Sequence, residues 1–111
     1  MKFSILVPTF NNFEYLKLFC KSISVNSFFK HQLIFHINDG SDGSYEFIKN
    51  KYEYTYSKNN IGLCSSINRA SNLIKTEYVI YAHDDMFFCK NWDFYLLNEI
   101  KKENDNLFYF S

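Results

Sequence analysis

One proline and three glycines are all that punctuate the 111 residues. Two of the glycines, Gly40 and Gly43, fall in a single turn. That scarcity leaves no linker, no low-complexity tract and no glycine-rich phosphate loop. Cysteine is also sparse. Cys20, Cys64 and Cys89 are odd in number, widely spaced, and show no CxxC or Cys/His ligand pattern. A disulfide framework and a zinc site are therefore excluded, and a reducing, cytoplasmic compartment is expected. Cys20 and Cys64 fall on expected helices and read as small core residues. Net charge is lacking too: twelve Lys and Arg balance twelve Asp and Glu. No global field draws the chain to nucleic acid or to an anionic membrane, so any polyanion must be handled by local groups. Nor is any apolar run long enough to span a bilayer or act as a signal peptide, which leaves at most peripheral membrane contact.

Apolar residues are abundant. They form 47% of the chain, enough for the core of one domain over residues 1–111. Phe3 to Val7 is a short apolar strand closed by Pro8. Asn11 or Asn12 can cap a helix with Glu14 in its first turn, and Phe13, Leu16, Phe19, Cys20 and Ile23 carry that helix to about Asn26. Leu33 to Ile37 is a second strand, followed by the turn Asn38-Asp39-Gly40-Ser41-Asp42-Gly43-Ser44 and a short helix from Tyr45 to Lys51. Tyr54 to Tyr56 is a weak third strand. Asn59-Asn60-Ile61-Gly62 turns into a helix faced by Leu63, Ile67, Ala70 and Ile74. Tyr78 to Ala82 is a fourth strand, and Trp92, Leu96 and Ile100 mark a last helix. Leu107 to Phe110 can begin another strand. His31 and His36 read as an ordinary loop residue and strand residue. Strict alternation of this kind predicts an α/β fold: three α/β/α layers around a mostly parallel sheet.

In such sheets ligands bind beyond the carboxyl ends of the strands. Three polar clusters fall there: Pro8-Thr9-Phe10-Asn11, Asn38-Asp39-Gly40-Ser41 and His83-Asp84-Asp85. Two adjacent acids at a strand end repel one another, a cost explained if a hard divalent cation sits between them and a phosphate. A plain acidic turn explains that one motif as well. Three polar strand ends in one small domain favour a site.

Taken in order, Val7-Pro8-Thr9-Phe10-Asn11, Ile37-Asn38-Asp39-Gly40-Ser41-Asp42, Asn60-Ile61-Gly62, Ile67-Asn68-Arg69-Ala70 and Glu77-Tyr78-Val79-Ile80-Tyr81-Ala82-His83-Asp84-Asp85 resemble family 2 glycosyltransferases. The matching part is the nucleotide-sugar-binding half of their Rossmann-like GT-A fold. Each block alone is weak; five in order are specific. The resemblance implies a loop of Pro8, Thr9 and Phe10 that lines the nucleotide base. It implies Asp39 as acceptor of a base N–H, and Asp84 and Asp85 at the ribose and the diphosphate. Asp85 is then the metal ligand, for Mg²⁺ or Mn²⁺, which prefer oxygen donors. Asn68 and Arg69 are placed near the same region, although a solvated helix position suits Arg69 as well. His83 stands where many members carry another Asp, and a structural place beside the metal is expected of it.

The implied reaction is inverting transfer of a sugar from a nucleotide-diphosphate donor to a hydroxyl of a glycan, lipid or protein. Asn38, Ala70 and Thr76 depart mildly from the family pattern. Length departs seriously, because family catalytic domains run to about twice this size. The chain is therefore expected to be truncated on its C-terminal side, to supply the donor-binding half, and to meet a partner chain or further sequence at its sheet edge. No residue is assigned as general base. A non-catalytic, truncated nucleotide-sugar-binding module is the alternative. A nucleotidyltransferase is disfavoured, since Pro8 to Glu14 lacks a Gly-rich, Lys/Arg-bearing loop.

Overall fold

The computed structural model describes residues 1–102. Its elements are β1 (Phe3–Phe10), α1 (Phe13–Asn26), β2 (Gln32–Asn38), α2 (Ser44–Lys49), β3 (Glu53–Ser57), α3 (Leu63–Ser71), β4 (Tyr78–Tyr81) and α4 (Trp92–Lys101). The four strands pair in the order β3-β2-β1-β4, and every pairing is parallel. The expected α/β alternation is thus present. Leu107 to Phe110, read as the start of a further strand, lies outside the described residues.

Side chains alternate across a strand, so β1 and β2 feed two cores. Ile5, Val7, Phe35 and Ile37 point to one face, where Leu16, Phe19, Cys20 and Ile23 of α1 and Ile48 of α2 cover them. Trp92 of α4 packs against the same cluster. Leu6 and Ile34 point to the other face and meet Ala70 of α3, with Ile67, Leu73 and Ile74 around it. Helices therefore lie on both faces of the sheet. Phe19 sits edge-on to both Phe35 and Phe88, and removal of such a ring costs about 3–5 kcal/mol.

β1 runs two residues beyond the expected stop at Pro8. The register explains this. β4 pairs only with Phe3 to Leu6, whereas β2 pairs with β1 as far as Phe10. The Leu6 carbonyl faces β4, where it accepts from the Ala82 N–H at 3.0 Å. Pro8, two residues on, faces the same side beyond the reach of β4, so its missing N–H breaks no ladder bond. α3 ends at Ser71, earlier than expected, and the chain tightens through Asn72, Leu73 and Ile74, whose N–H groups bond three residues back. Cys20 is buried as expected. Cys64 is exposed, which corrects its assignment to the core: it lies on the side of α3 opposite to Ser66 and Ala70.

A polar latch closes the amino end of the sheet. Asp93, fully buried in the first turn of α4, accepts from the N–H groups of Phe28 (2.8 Å), Phe29 (2.7 Å) and Phe94 (3.0 Å). His31 Nε2 lies 2.7 Å from Asp93 Oδ2. The Phe3 N–H donates to His31 Nδ1 at 3.2 Å, so Nε2 carries the proton and donates to Asp93. His31 is thus no ordinary loop residue. Its ring stacks on Phe3 with centroids 5.2 Å apart and leans on Trp92.

Candidate functional site

The carboxyl ends of β1, β2 and β4 and the start of α3 enclose an open cleft of about 260 Å³. Pro8, Thr9 and Phe10 line it from β1, Asn38 from β2, Gly62, Leu63 and Ser66 from α3, and His83 and Asp84 from the turn after β4. Asn12, just before α1, completes the wall.

The chain turns at the acidic motif, where the Met86 N–H reaches the His83 carbonyl at 3.2 Å. The turn gives the two aspartates different surroundings. Asp84 is half-buried and accepts from the Thr9 hydroxyl at 2.8 Å and from Asn12 Nδ2 at 3.1 Å. Its two oxygens thereby tie β4 to the end of β1. Asp85 is exposed, stands outside the lining residues, and makes no hydrogen bond or ion pair to a described residue. Asn12 does not cap α1 with its side chain. Asp42 does that work from the β2–α2 loop, accepting the Phe13 N–H at 3.0 Å and the Ser44 N–H at 3.1 Å.

Phe10 is half-exposed and lines the cleft. Asp39 sits beyond the lining, in the left-handed region at φ 64°, next to Asn11 at φ 45°. Asn11 Nδ2 donates to Asp39 Oδ2 at 3.1 Å, and the Ser41 N–H donates to Oδ1 at 3.2 Å. Hydrogen bonds from Ser41 and then Asn11 hold its carboxyl below the usual carboxylate range, so it is ionised at neutral pH. Two non-glycine residues with positive φ in mutual contact mark a loop pair that its surroundings hold in place. The turn continues through Gly40, where a Cβ would lie 2.7 Å from the Ile37 side chain.

Asn68 and Arg69 are exposed on α3, and neither lines the cleft. Leu63 and Ser66 are the α3 residues that do, and at helical spacing they share a side that Asn68 does not. His83 lies against the Tyr81 ring, its Nδ1 at 3.2 Å from the hydroxyl. Burial, then the charges of Asp84 and Cys64, push the Tyr81 hydroxyl above its usual pKa. The sequence reading assigned no role to Asn12 beyond a cap, nor any role to Ser66; both bond or line here only because distant strand ends converge. No group of three or more His, Cys, Asp or Glu side chains able to hold a metal ion occurs among the described residues. No described helix is long and apolar enough to cross a membrane.

The family model described as Glycosyl transferase family 2 matches residues 4–111. No curated protein matches the chain. Among solved structures, S. aureus TarS superposes with a TM-score of 0.75 at 22% identity, over 92% of this chain and 20% of that one. A 1–349 form of S. aureus TarS in complex with UDP gives the same score and identity, over 92% of this chain and 32% of that one. Its complex with UDP-GlcNAc gives 0.66 at 22% identity, over 90% and 30%. The chain therefore shares their fold and spans between a fifth and a third of their length.

Proposed function

The chain belongs to glycosyl transferase family 2, and from that premise we propose that its cleft binds the nucleotide-diphosphate part of a sugar donor. One observation carries the reading: the unequal setting of the two acids. Asp84 is spent on Thr9 and Asn12, so it fixes the turn, while Asp85 beside it has no partner among the described residues. In this reading the Phe10 ring stacks on the base, and Asp39, ionised and aimed by Asn11 and Ser41, accepts a base N–H. The polar wall of Asn12, Ser66 and His83 faces the ribose and phosphates.

The donor set fits Mg²⁺ or Mn²⁺. Such ions are held by one or two carboxylates with substrate phosphates and water completing the shell. One aspartate that makes no bond to a described residue, with no three-residue cluster among the described residues, is that kind of site. When bound, the ion supplies a positive charge that stabilises the departing diphosphate. The chain's own residues bind and orient. Asp85 would hold the ion, and Asp84 keeps Asp85 in place through the turn they share. Transfer in this reading is inverting, with the acceptor hydroxyl activated by a base that is not among the residues assigned here. The second reading is a nucleotide-binding module without turnover.

Calorimetry with UDP, with and without Mn²⁺, tests the binding claim. Asp85→Ala is expected to abolish the metal-dependent gain in affinity. Asp39→Ala loses a hydrogen bond to a charged acceptor, and about tenfold or more in affinity. If neither substitution weakens binding, the site is misassigned. Sugar release from UDP-sugars, assayed separately, distinguishes transferase from module.

A further inference from the structure

Aromatic rings are left uncovered at one corner of the fold. The loop between α1 and β2 carries Phe28, which is 60% exposed, and the first turn of α4 carries Phe94 at 40% and Tyr95 at 63%. The rings touch in series. Phe28 meets Phe29 with centroids 4.9 Å apart and Phe94 at 5.3 Å, and Phe94 meets Tyr95 at 5.8 Å. Beside them opens a groove of about 450 Å³, lined by Met1, Ile23, Phe28, Phe29 and Leu33 together with Lys30. The surface is held in shape, because Asp93 takes the N–H groups of both Phe28 and Phe29. Ring area left to water is unfavourable, and a contiguous apolar patch marks a place of contact.

The charge around the rings has one sign. Lys2 lies over Phe29, 5.2 Å from the ring centroid, and Lys30 follows Phe29 in the loop. Lys90 is brought to the end of α1 by its neighbour Asn91, whose N–H donates to the Asn26 carbonyl at 2.8 Å. All three lysines are exposed. Glu14 is the one acid in the first 38 residues, and it is paired with Lys17 at 3.1 Å at the far end of α1. Asp93 is fully buried, and Glu99, one turn beyond Tyr95, is paired with Lys102 at 3.1 Å. Glu53 and Glu77 stand at the outer strands β3 and β4. A second copy of this chain would set lysines against lysines. A single-stranded nucleic acid needs open ring faces for its bases, whereas these rings are turned against one another at 79°, 54° and 80°. A surface that is anionic outside and apolar beneath matches both features: the rings and the groove take hydrocarbon while the ammonium groups stay among the headgroups. We propose that this corner docks on an anionic lipid membrane. It lies at the amino ends of β1 and β2, opposite to the cleft at their carboxyl ends, so docking leaves the cleft open. The proposal does not rest on the donor reading.

Flotation with vesicles of phosphatidylglycerol and phosphatidylcholine, compared with phosphatidylcholine alone, tests it. The wild type is expected to float with the anionic vesicles and to detach as salt rises from about 0.05 M to about 0.5 M, where exposed charges are screened. Lys30→Gln with Lys90→Gln is expected to weaken binding about tenfold or more, at about fivefold for each lysine. Lys49→Gln with Lys58→Gln makes the same change of net charge away from the patch and is expected to bind as the wild type does. Phe28→Ser with Tyr95→Ser is expected to abolish flotation at low salt; should that variant fail to fold, the two lysine pairs still decide. A wild type that does not float, or equal losses in the two lysine pairs, overturns the proposal. So does a dimer in solution that the ring variant loses, or binding of single-stranded RNA, where vesicles are not bound.

Discussion

Asp93→Asn tests how the amino end of the sheet is held. The carboxylate divides its acceptors: Oδ1 takes the N–H groups of Phe28 and Phe94, and Oδ2 takes the Phe29 N–H and His31. Asparagine keeps the volume but offers one oxygen, so two of the four donors face an NH₂ group. Rotation of the amide exchanges one pair for the other without satisfying both. His31 cannot rescue it by moving its proton, because Nδ1 is already the acceptor for Phe3. Two hydrogen bonds to a charged acceptor, at about 1.5 kcal/mol each, give a loss of about 3 kcal/mol. For a domain of this size that is roughly 12 °C or more in melting temperature. The pH dependence follows from two shifts of the same sign. Burial raises the Asp93 carboxyl, but the N–H groups of Phe29 and Phe28 and then His31 outweigh it and hold it below its usual range. Its contribution is present above the unfolded value of about 3.9 and is lost as pH falls through the folded value. Burial lowers His31, against the pull of Asp93. The unfolded chain therefore takes up that proton first, and stability declines as pH falls below about 6.5. In the variant His31 loses its anionic partner, so its decline steepens while the Asp93 part disappears. Urea unfolding at several pH values from neutral to well below about 3.9 measures both. A loss below about 0.5 kcal/mol at neutral pH, the range of ordinary surface changes, would refute the reasoning.

Gly40→Ala forces a side chain into φ 77° with its Cβ 2.7 Å from Ile37 and 2.8 Å from the Tyr45 Cβ; urea unfolding is expected to show a loss of about 2 kcal/mol or more. Thr9→Val keeps the shape and removes the hydroxyl on Asp84, at an expected cost of about 1–2 kcal/mol in the same assay. Burial pushes the Cys20 thiol up to about 11, whereas Cys64 and Cys89 are exposed. A thiol-reactive disulfide reagent should therefore label two cysteines in the native protein and the third only after unfolding. Labelling of Cys20 at native rates would show that the α1 face opens.

The elements were legible because their signals are local. Leu16, Phe19, Cys20 and Ile23 recur at helical spacing, and the strands are short apolar runs between polar turns. Pro8 misled, because its effect on β1 depends on how far a neighbouring strand extends, which no local pattern records. The polar strand ends could be named in sequence, but the division of labour between Asp84 and Asp85 could not. It arises from Thr9 and Asn12, which are distant in the chain and adjacent only after the sheet forms. Asp93 was hidden for the same reason. In a first helical turn it resembles a residue placed for the helix dipole, and its partners lie 62 to 65 residues earlier. Asn38 was visible only as a departure from a pattern; its bonds to the Thr9 carbonyl, Ser66, Ser57 and the Ile61 N–H form only once the sheet and α3 are together.

The strand order has a consequence for how the chain is made. β1 lies inside the sheet, yet only its β2 side can be covered early. The other side waits for β4, which is synthesised after three helices and two further strands. Until then the backbone from Phe3 to Leu6 presents an open edge beside the apolar side chains of Ile5 and Leu6. Pairings this far apart in sequence form slowly, and an unpaired apolar edge is a template for association with other chains. The docking of β4 onto β1 is then the step at which folding and aggregation compete. Slower synthesis through residues 58–77 would lengthen that exposure, whereas a chaperone that covers β1 would shorten it.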